Sequence, residues 1–362
     1  MRKATVDPTC PSSHETPEAG AEANERPRLT LGAVRSAFSP ECYRRSTPRA
    51  LLALGVDLVL YAALVAAAIA VANPLLTVGF AVLAGFAVAF LFVWGHDAAH
   101  GALFESDRWS EVLGTLAMLP SLNMYRLWVF GHNKVHHGFT SLSTIDWIWR
   151  PWTVEEYQAA SRWSRLVYRL ERRPLTCALH YLLRVWWPGM VRFRPDPRAR
   201  RVRGVGLSKM VSAGYAVSLG GLAWWLSGPL TAVVVVVVPF VVFTWFIAFF
   251  VYLHHTHPDV AFYDDRREWS ALDGQLRSSI TIRCNPVWEH LTHHILVHTP
   301  HHVDTRIPFH RLARASADLA AAHGSEVTTY RFRWRTIGHI FRTCKLYDFD
   351  DHRWLGYDAA AR

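Results

Sequence analysis

Twenty histidines punctuate this chain of 362 residues, and most of them fall in clusters. His96 and His100 bracket Asp97-Ala98-Ala99. His132, His136 and His137 follow within one six-residue run. Much later come His254-His255-Thr256-His257, His290-Leu291-Thr292-His293-His294, and His298-Thr299-Pro300-His301-His302. Residues three or four apart share a face of a helix. His96 with His100, His132 with His136, and His298 with His301 and His302 all have that spacing, so each cluster predicts convergent imidazoles. A single histidine is usually a surface or hydrogen-bonded residue, but three repeats of one spacing need another explanation. Imidazole suits iron, zinc, copper and nickel. A zinc ion takes three or four protein ligands. These clusters, with one residue of the His254-His255 pair, offer nine imidazoles, which points to two metals.

Few carboxylates lie inside the clusters, unlike the Glu-x-x-His pairs of di-iron helical bundles. Asp97, Asp146, Asp259, Glu289 and Asp304 could hold the outer imidazole nitrogens and so fix the tautomer. Each of them taken singly is by default a solvated or structural carboxylate. The run His96-Asp97-Ala98-Ala99-His100 also approximates the His-Glu-x-x-His of zinc proteases. An intramembrane protease, however, leaves the later clusters unexplained.

The elements that must position these residues are apolar. Four runs, at about 51–72, 75–94, 211–226 and 230–253, approach the roughly 20 helical residues that a bilayer core requires. Asn73-Pro74 and Ser227-Gly228-Pro229 leave only tight turns within each pair. Asp57 sits near one end of the first run, where a charge can reach the interface. The valines of 233–238 are β-branched, but lipid context overrides weak helix propensity. Leu113 to Phe130 is broken by Pro120, Asn123 and Arg126, and predicts a helix dipping into or lying on the membrane. Arg44, Arg45 and Arg49 precede the first run. Arg162 to Lys209 is strongly basic, with Arg172, Arg173, Arg192, Arg194, Arg198, Arg200, Arg201, Arg203 and interfacial Trp186-Trp187. Both blocks predict a cytoplasmic side.

Two hairpins place every histidine cluster on one face of the bilayer, with His96 and His254 at the exits of the second and fourth spans. The expected fold is therefore an all-α integral membrane protein. Four transmembrane helices form two hairpins, and a cytoplasmic helical cap holds a histidine-rich di-metal site. Residues 1–45 are expected to be a disordered cytoplasmic N-terminus, its first thirty residues rich in Pro, Glu, Ala, Ser and Thr. Residues 46–315 form the membrane domain and 316–362 a cytoplasmic C-terminal segment. No apolar signal-peptide core is visible near the N-terminus.

The formal charge of +10 is compatible with nucleic acid, anionic lipid or an acidic protein partner. Because the basic segment falls between membrane spans, lipid and an acidic partner are expected, and nucleic acid is not. The five cysteines are scattered with no Cys-x-x-Cys pair. That argues against an iron–sulfur cluster, a zinc ribbon or a disulfide framework, and suits a reducing compartment.

In order, the boxes HDAAH, HNKVHH and HTPHH resemble those of the membrane-bound fatty acid desaturase family. The stretch YLHHTHPDVAFYDD from Tyr252, and then NPVWEHLTHHILVHTPHHVDTRIPFHRL to Leu312, is more specific. It resembles acyl-lipid desaturases of the delta-12, omega-6 type, including the segment Thr305-Arg306-Ile307-Pro308 after the last box. The resemblance covers roughly residues 50 to 315. It implies two non-haem irons, O2 as co-substrate, an acyl lipid as substrate and a cis double bond as product. It implies as metal ligands His96, His100, His132, His136, His137, His255, His298, His301 and His302, with His255 preferred to His254 because its His-Thr matches the family. His293 also resembles a family histidine, while His257, His290 and His294 have no assigned role. Ala98-Ala99 replaces a common Cys-Gly, and three residues rather than two precede the His136-His137 pair. Electrons are expected from a separate ferredoxin-like or other external donor, since neither a fused cytochrome b5 signature nor ferredoxin cysteines are visible. A bacterial inner membrane, with both termini and the active site cytoplasmic, is the expected location. A related di-iron hydroxylase, epoxygenase or acetylenase would share every ligand. A carotenoid ketolase or hydroxylase uses similar boxes, but the Tyr252–Leu312 match argues against it. A non-enzymatic lipid-binding membrane protein would need no iron.

Overall fold

Four long helices form the frame: Thr47–Ala70, Pro74–Ala99, Val205–Ser227 and Pro229–His255. They are described in a computed structural model covering residues 29–193, 202 and 204–361. The first, second and fourth are long and apolar enough to cross a membrane. The third has 23 residues, but its glycines and serines, with Trp224 and Trp225, dilute its apolarity. Asn73 caps the second helix by accepting from the backbone N–H groups of Leu75 and Leu76, and Pro74 occupies the first helical turn. Gly228, at φ 89°, turns the third helix into the fourth.

The second and fourth helices make the closest contact. At Gly85 an added Cβ would lie 2.5 Å from Val242 Cβ and 3.0 Å from the Pro239 carbonyl oxygen. These two helices have 26 and 27 residues, about 39 and 40 Å at 1.5 Å per residue. Both exceed a hydrocarbon core of about 30 Å. Their last turns carry His96 and His254-His255 to the same end.

Leu113–Phe130 is not one helix. It divides into a helix ending at Met118, a turn at Leu119–Ser121, and a short helix Tyr125–Val129. Pro120 and left-handed Leu122, at φ 53°, make the break. In the basic stretch, Arg172 is buried rather than lipid-facing. Its guanidinium donates to the carbonyls of Trp149 and Arg150 and lies 4.8 Å from the Tyr168 ring centroid. Arg194, Arg198, Arg200, Arg201 and Arg203 lie outside the described residues.

Two expectations are corrected. The fold is mostly helical but not all-α. Strand β1 (Ile280–Arg283) pairs in parallel with β2 (Thr328–Arg331), and β3 (Leu346–Asp348) pairs antiparallel with β4 (Arg353–Leu355). Ile280-Thr281-Ile282 and Thr328-Thr329-Tyr330 are β-branched and aromatic runs, but four-residue strands leave too short an alternation to stand out in sequence. The N-terminal segment is also ordered from residue 29 onward. Val34, Phe38 and Cys42, four residues apart, are buried. Arg35 donates to the Val303 carbonyl at 2.7 Å, and Ser39 and Tyr43 donate to Asp318 and Asp304. Residues 1–28, where the rest of the predicted disorder falls, lie outside the described residues. The C-terminal segment packs onto the same core through Ile337, Ile340 and Phe341, and the Tyr252 hydroxyl donates to the Cys344 carbonyl at 2.9 Å.

Candidate metal centre

The nine predicted imidazoles come together in two adjoining groups. In the first, His96, His100, His132, His137 and His301 each bring one ring nitrogen to within 4.8 Å of the others. Nε2 to Nε2 separations run 3.1 Å from His96 to His132, 3.0 Å from His132 to His137 and 3.1 Å from His137 to His301. In the second, His136, His255 and His302 converge. His298 joins them, with Nε2 3.1 Å from that of His255 and 3.0 Å from that of His302. The His137 and His302 rings stack at 4.2 Å and connect the groups.

Local structure divides two of the sequence clusters between them, while His96 and His100 stay together in the first group. Phe130–His136 is a π-helix, in which residues five apart align. His132 therefore meets His137, and His136 points to the second group. In helix His298–Val303, His298 and His302 share a face, while His301 turns to the first group. Of the adjacent pair, His255 enters the second group. His254 stacks on His298 at 4.0 Å, with both ring nitrogens buried and without a hydrogen-bond partner among the described residues.

The outer nitrogens fix tautomers. His96 Nδ1 lies 2.8 Å from Asp97, and His136 Nδ1 lies 2.9 Å from Asp146. His255 Nδ1 lies 3.0 Å from the Ser278 carbonyl oxygen, and His302 Nδ1 lies 3.0 Å from Gln275 Oε1. The Gln275 amide nitrogen donates to the His137 carbonyl at 2.7 Å, so its Oε1 is the acceptor. Carbonyl oxygens only accept, so His255 and His302 carry hydrogen on Nδ1 and present bare lone pairs at Nε2. Burial, followed by the neighbouring imidazoles, holds His100, His132, His137, His298, His301 and His302 well below the ordinary imidazole range. Protons are therefore poor candidates to sit among these converging lone pairs. A pair of metal cations fits the donor set, one in each group.

Asp97 and Asp146 are the two expected carboxylates that reach imidazoles of the groups. Asp304 binds Arg306 and Tyr43, Glu289 binds Arg283, and Asp259 is paired with His257. Gln275, the Ser278 carbonyl and Trp128, whose ring stacks on His132 at 3.9 Å, are not marked by any spacing in the sequence. His293 lies apart from both groups. Its Nε2 meets Asp57 at 2.7 Å, and the Trp94 indole donates to the same oxygen. Asp57 is thus partnered within the fold.

The imidazoles cap an apolar cavity of about 170 Å3, walled by Phe92, Trp128, Tyr181, Phe243 and Phe246. His96, His136, His255 and His298 reach its surface. Buried imidazoles at the head of an apolar, aromatic-walled cavity would suit oxidation of an apolar chain once metal is bound.

The sequence is similar to those of known proteins. The profile of the fatty acid desaturase family matches residues 72–334. The chain is 31% identical over 274 residues to the sn-1 oleoyl-lipid 12-desaturase of Synechocystis, covering 73% of this chain and 74% of that one. It is 28% identical over 354 residues to the enzyme of the same name from Picosynechococcus, covering 94% and 96%. It is 28% identical to the chloroplastic omega-6 fatty acid desaturase of Brassica napus, covering 76% of this chain but 61% of that one. The chain belongs to the fatty acid desaturase family, and it is an oxidoreductase, a fatty acyl desaturase.

Proposed function

We propose that the protein places a cis double bond in the acyl chain of a membrane lipid, consuming O2 and two external electrons. The balance is –CH2–CH2– + O2 + 2 e− + 2 H+ → –CH=CH– + 2 H2O. Two irons are the metals, the first held by His96, His100, His132, His137 and His301, the second by His136, His255, His298 and His302. They supply the O2 activation that an unactivated C–H bond demands and that side-chain acid–base chemistry cannot provide. Asp97, Asp146, Gln275 and the Ser278 carbonyl orient the imidazoles. The aromatic cavity walls exclude water and hold the acyl chain beneath the ligands. The observation that carries this reading is the pair of adjoining, buried imidazole groups at the head of one apolar cavity.

The names of the relatives make the C12 position of a lipid-bound oleoyl chain the first substrate to try. The third long helix completes a four-span, two-hairpin frame, with both termini and the metal ligands on the cytoplasmic side of a bacterial inner membrane. Residues 46–315 are the catalytic membrane unit. The electron donor is a separate, acidic, ferredoxin-like carrier. Expression in a host rich in oleate, followed by mass spectrometry that locates double bonds, tests the proposal. A new diene in the lipid fraction is the expected product. A hydroxylated chain would assign the sister hydroxylase reaction, and an unchanged profile with metal loaded would overturn the proposal.

A further inference from the structure

A second groove, of about 1030 Å3, lies where the second and fourth long helices meet the β1–β2 sheet. This is at the top of the roughly 300–1,000 Å3 typical of small-molecule pockets. Its floor is aromatic. Phe86 and Phe246 meet edge to face at 6.2 Å, and Trp288 lies 6.5 and 6.3 Å from them. Trp334 closes one side, 6.5 Å from Phe249 and 5.1 Å from Phe332.

The rim is cationic, formed by Arg283, Arg331 and Arg333, all exposed. Arg283 and Arg331 are register partners on neighbouring strands, and like charges side by side repel. Glu289 binds Arg283 at 2.8 Å. Arg331 and Arg333 form no ion pair among the described residues. One of the three guanidiniums thus has a carboxylate partner among the described residues. Large apolar side chains stand exposed beside them, Val287 and Trp334 each at 69%. Arginine beside exposed tryptophan is the composition of a membrane headgroup boundary.

Depth selects among occupants. Phe86 precedes His96 by ten residues, about 15 Å along the helix. The floor therefore runs from the cationic rim into the span, where an acyl chain can follow and a soluble protein cannot. Guanidinium forks match phosphate oxygens in bidentate geometry. We propose that this groove binds an anionic glycerophospholipid, its phosphate on Arg331 and Arg333 and its acyl chain along Phe86, Phe246 and Phe249. Phe246 and Phe250 wall both this groove and the imidazole cavity, so the lipid lies against the active cavity without entering it.

The test is native mass spectrometry of the full chain in detergent, titrated with phosphatidylglycerol or phosphatidylcholine. Binding is read directly, independently of turnover. The wild-type protein should retain phosphatidylglycerol in preference to phosphatidylcholine. Arg331→Gln with Arg333→Gln should weaken phosphatidylglycerol binding by at least about tenfold and phosphatidylcholine binding, in which the choline cation opposes the rim, by less. Arg335→Gln with Arg342→Gln, on the exposed side of helix Trp334–Thr343 and outside the groove, should change nothing. Equal retention of the two lipids, or equal phosphatidylglycerol binding by the wild type and the Arg331 and Arg333 variant, would overturn the site. Displacement of the lipid by glycerol phosphate at equal concentration would also overturn it, since the rim alone would then account for binding.

Discussion

Gln275 shows how much of the candidate metal centre depends on side chains outside the two imidazole groups. Its amide accepts from His302 at one end and donates to the His137 carbonyl at the other, tying both imidazole groups to one side chain. Gln275→Leu removes both bonds at similar volume. It should lower iron affinity and activity by about 10–100-fold, measured by metal retention against a chelator. Unchanged retention would show that His302 is oriented by packing alone. His301→Ala removes one first-group imidazole and should abolish turnover and reduce bound iron, whereas His339→Ala, outside both groups, should retain activity. Product analysis and metal quantification of both variants check this. Acid should loosen the centre. The buried imidazoles titrate well below their unfolded value of about 6.5. Between those values the unfolded chain binds more protons, so stability rises with pH through the window and falls as pH drops below about 6.5. The metal-free protein should therefore melt at a lower temperature near pH 5.5 than near pH 7.5, read by thermal unfolding in detergent. An opposite slope would mean that these imidazoles are protonated in the fold.

At the scale of elements, legibility followed length. The four long helices are legible because each carries an apolar run of 16 residues or more, and their structural bounds, 47–70, 74–99, 205–227 and 229–255, enclose most of each run. The π-helix was not visible. Spacing alone favours His132 with His136, and only the π-helical winding pairs His132 with His137. Strands β1 and β2 were hidden because their partners lie 48 residues apart in register. Gln275 and the Ser278 carbonyl were hidden for a related reason: a side chain between two distant boxes has no periodicity to betray it. Close approach of the second and fourth helices rests on Gly85, where a β-branched neighbour and a backbone carbonyl leave no room for Cβ. Gly85→Ala should cost about 1–3 kcal/mol, seen as a lower unfolding temperature in detergent. A neutral effect would show that the helices can move apart without loss.

For the whole molecule, the two-hairpin plan and the shared metal face are one claim. Reporter fusions at residues 74 and 228 should face the side opposite those at residues 29 and 361, and a fusion at 228 on the inner side would break the plan. A basic face that receives an acidic carrier predicts turnover that falls with rising salt under carrier-limited conditions, because exposed charges are screened beyond about 8 Å at physiological ionic strength. A salt-independent rate would leave the excess charge to lipid. Beneath both lies the assignment of nine imidazoles to two irons, and it can be measured directly. Elemental analysis of the purified, active protein should find roughly two irons per chain, with activity lost as iron is stripped and restored as iron returns. Full activity with zinc alone, or with a single iron, would contradict the account.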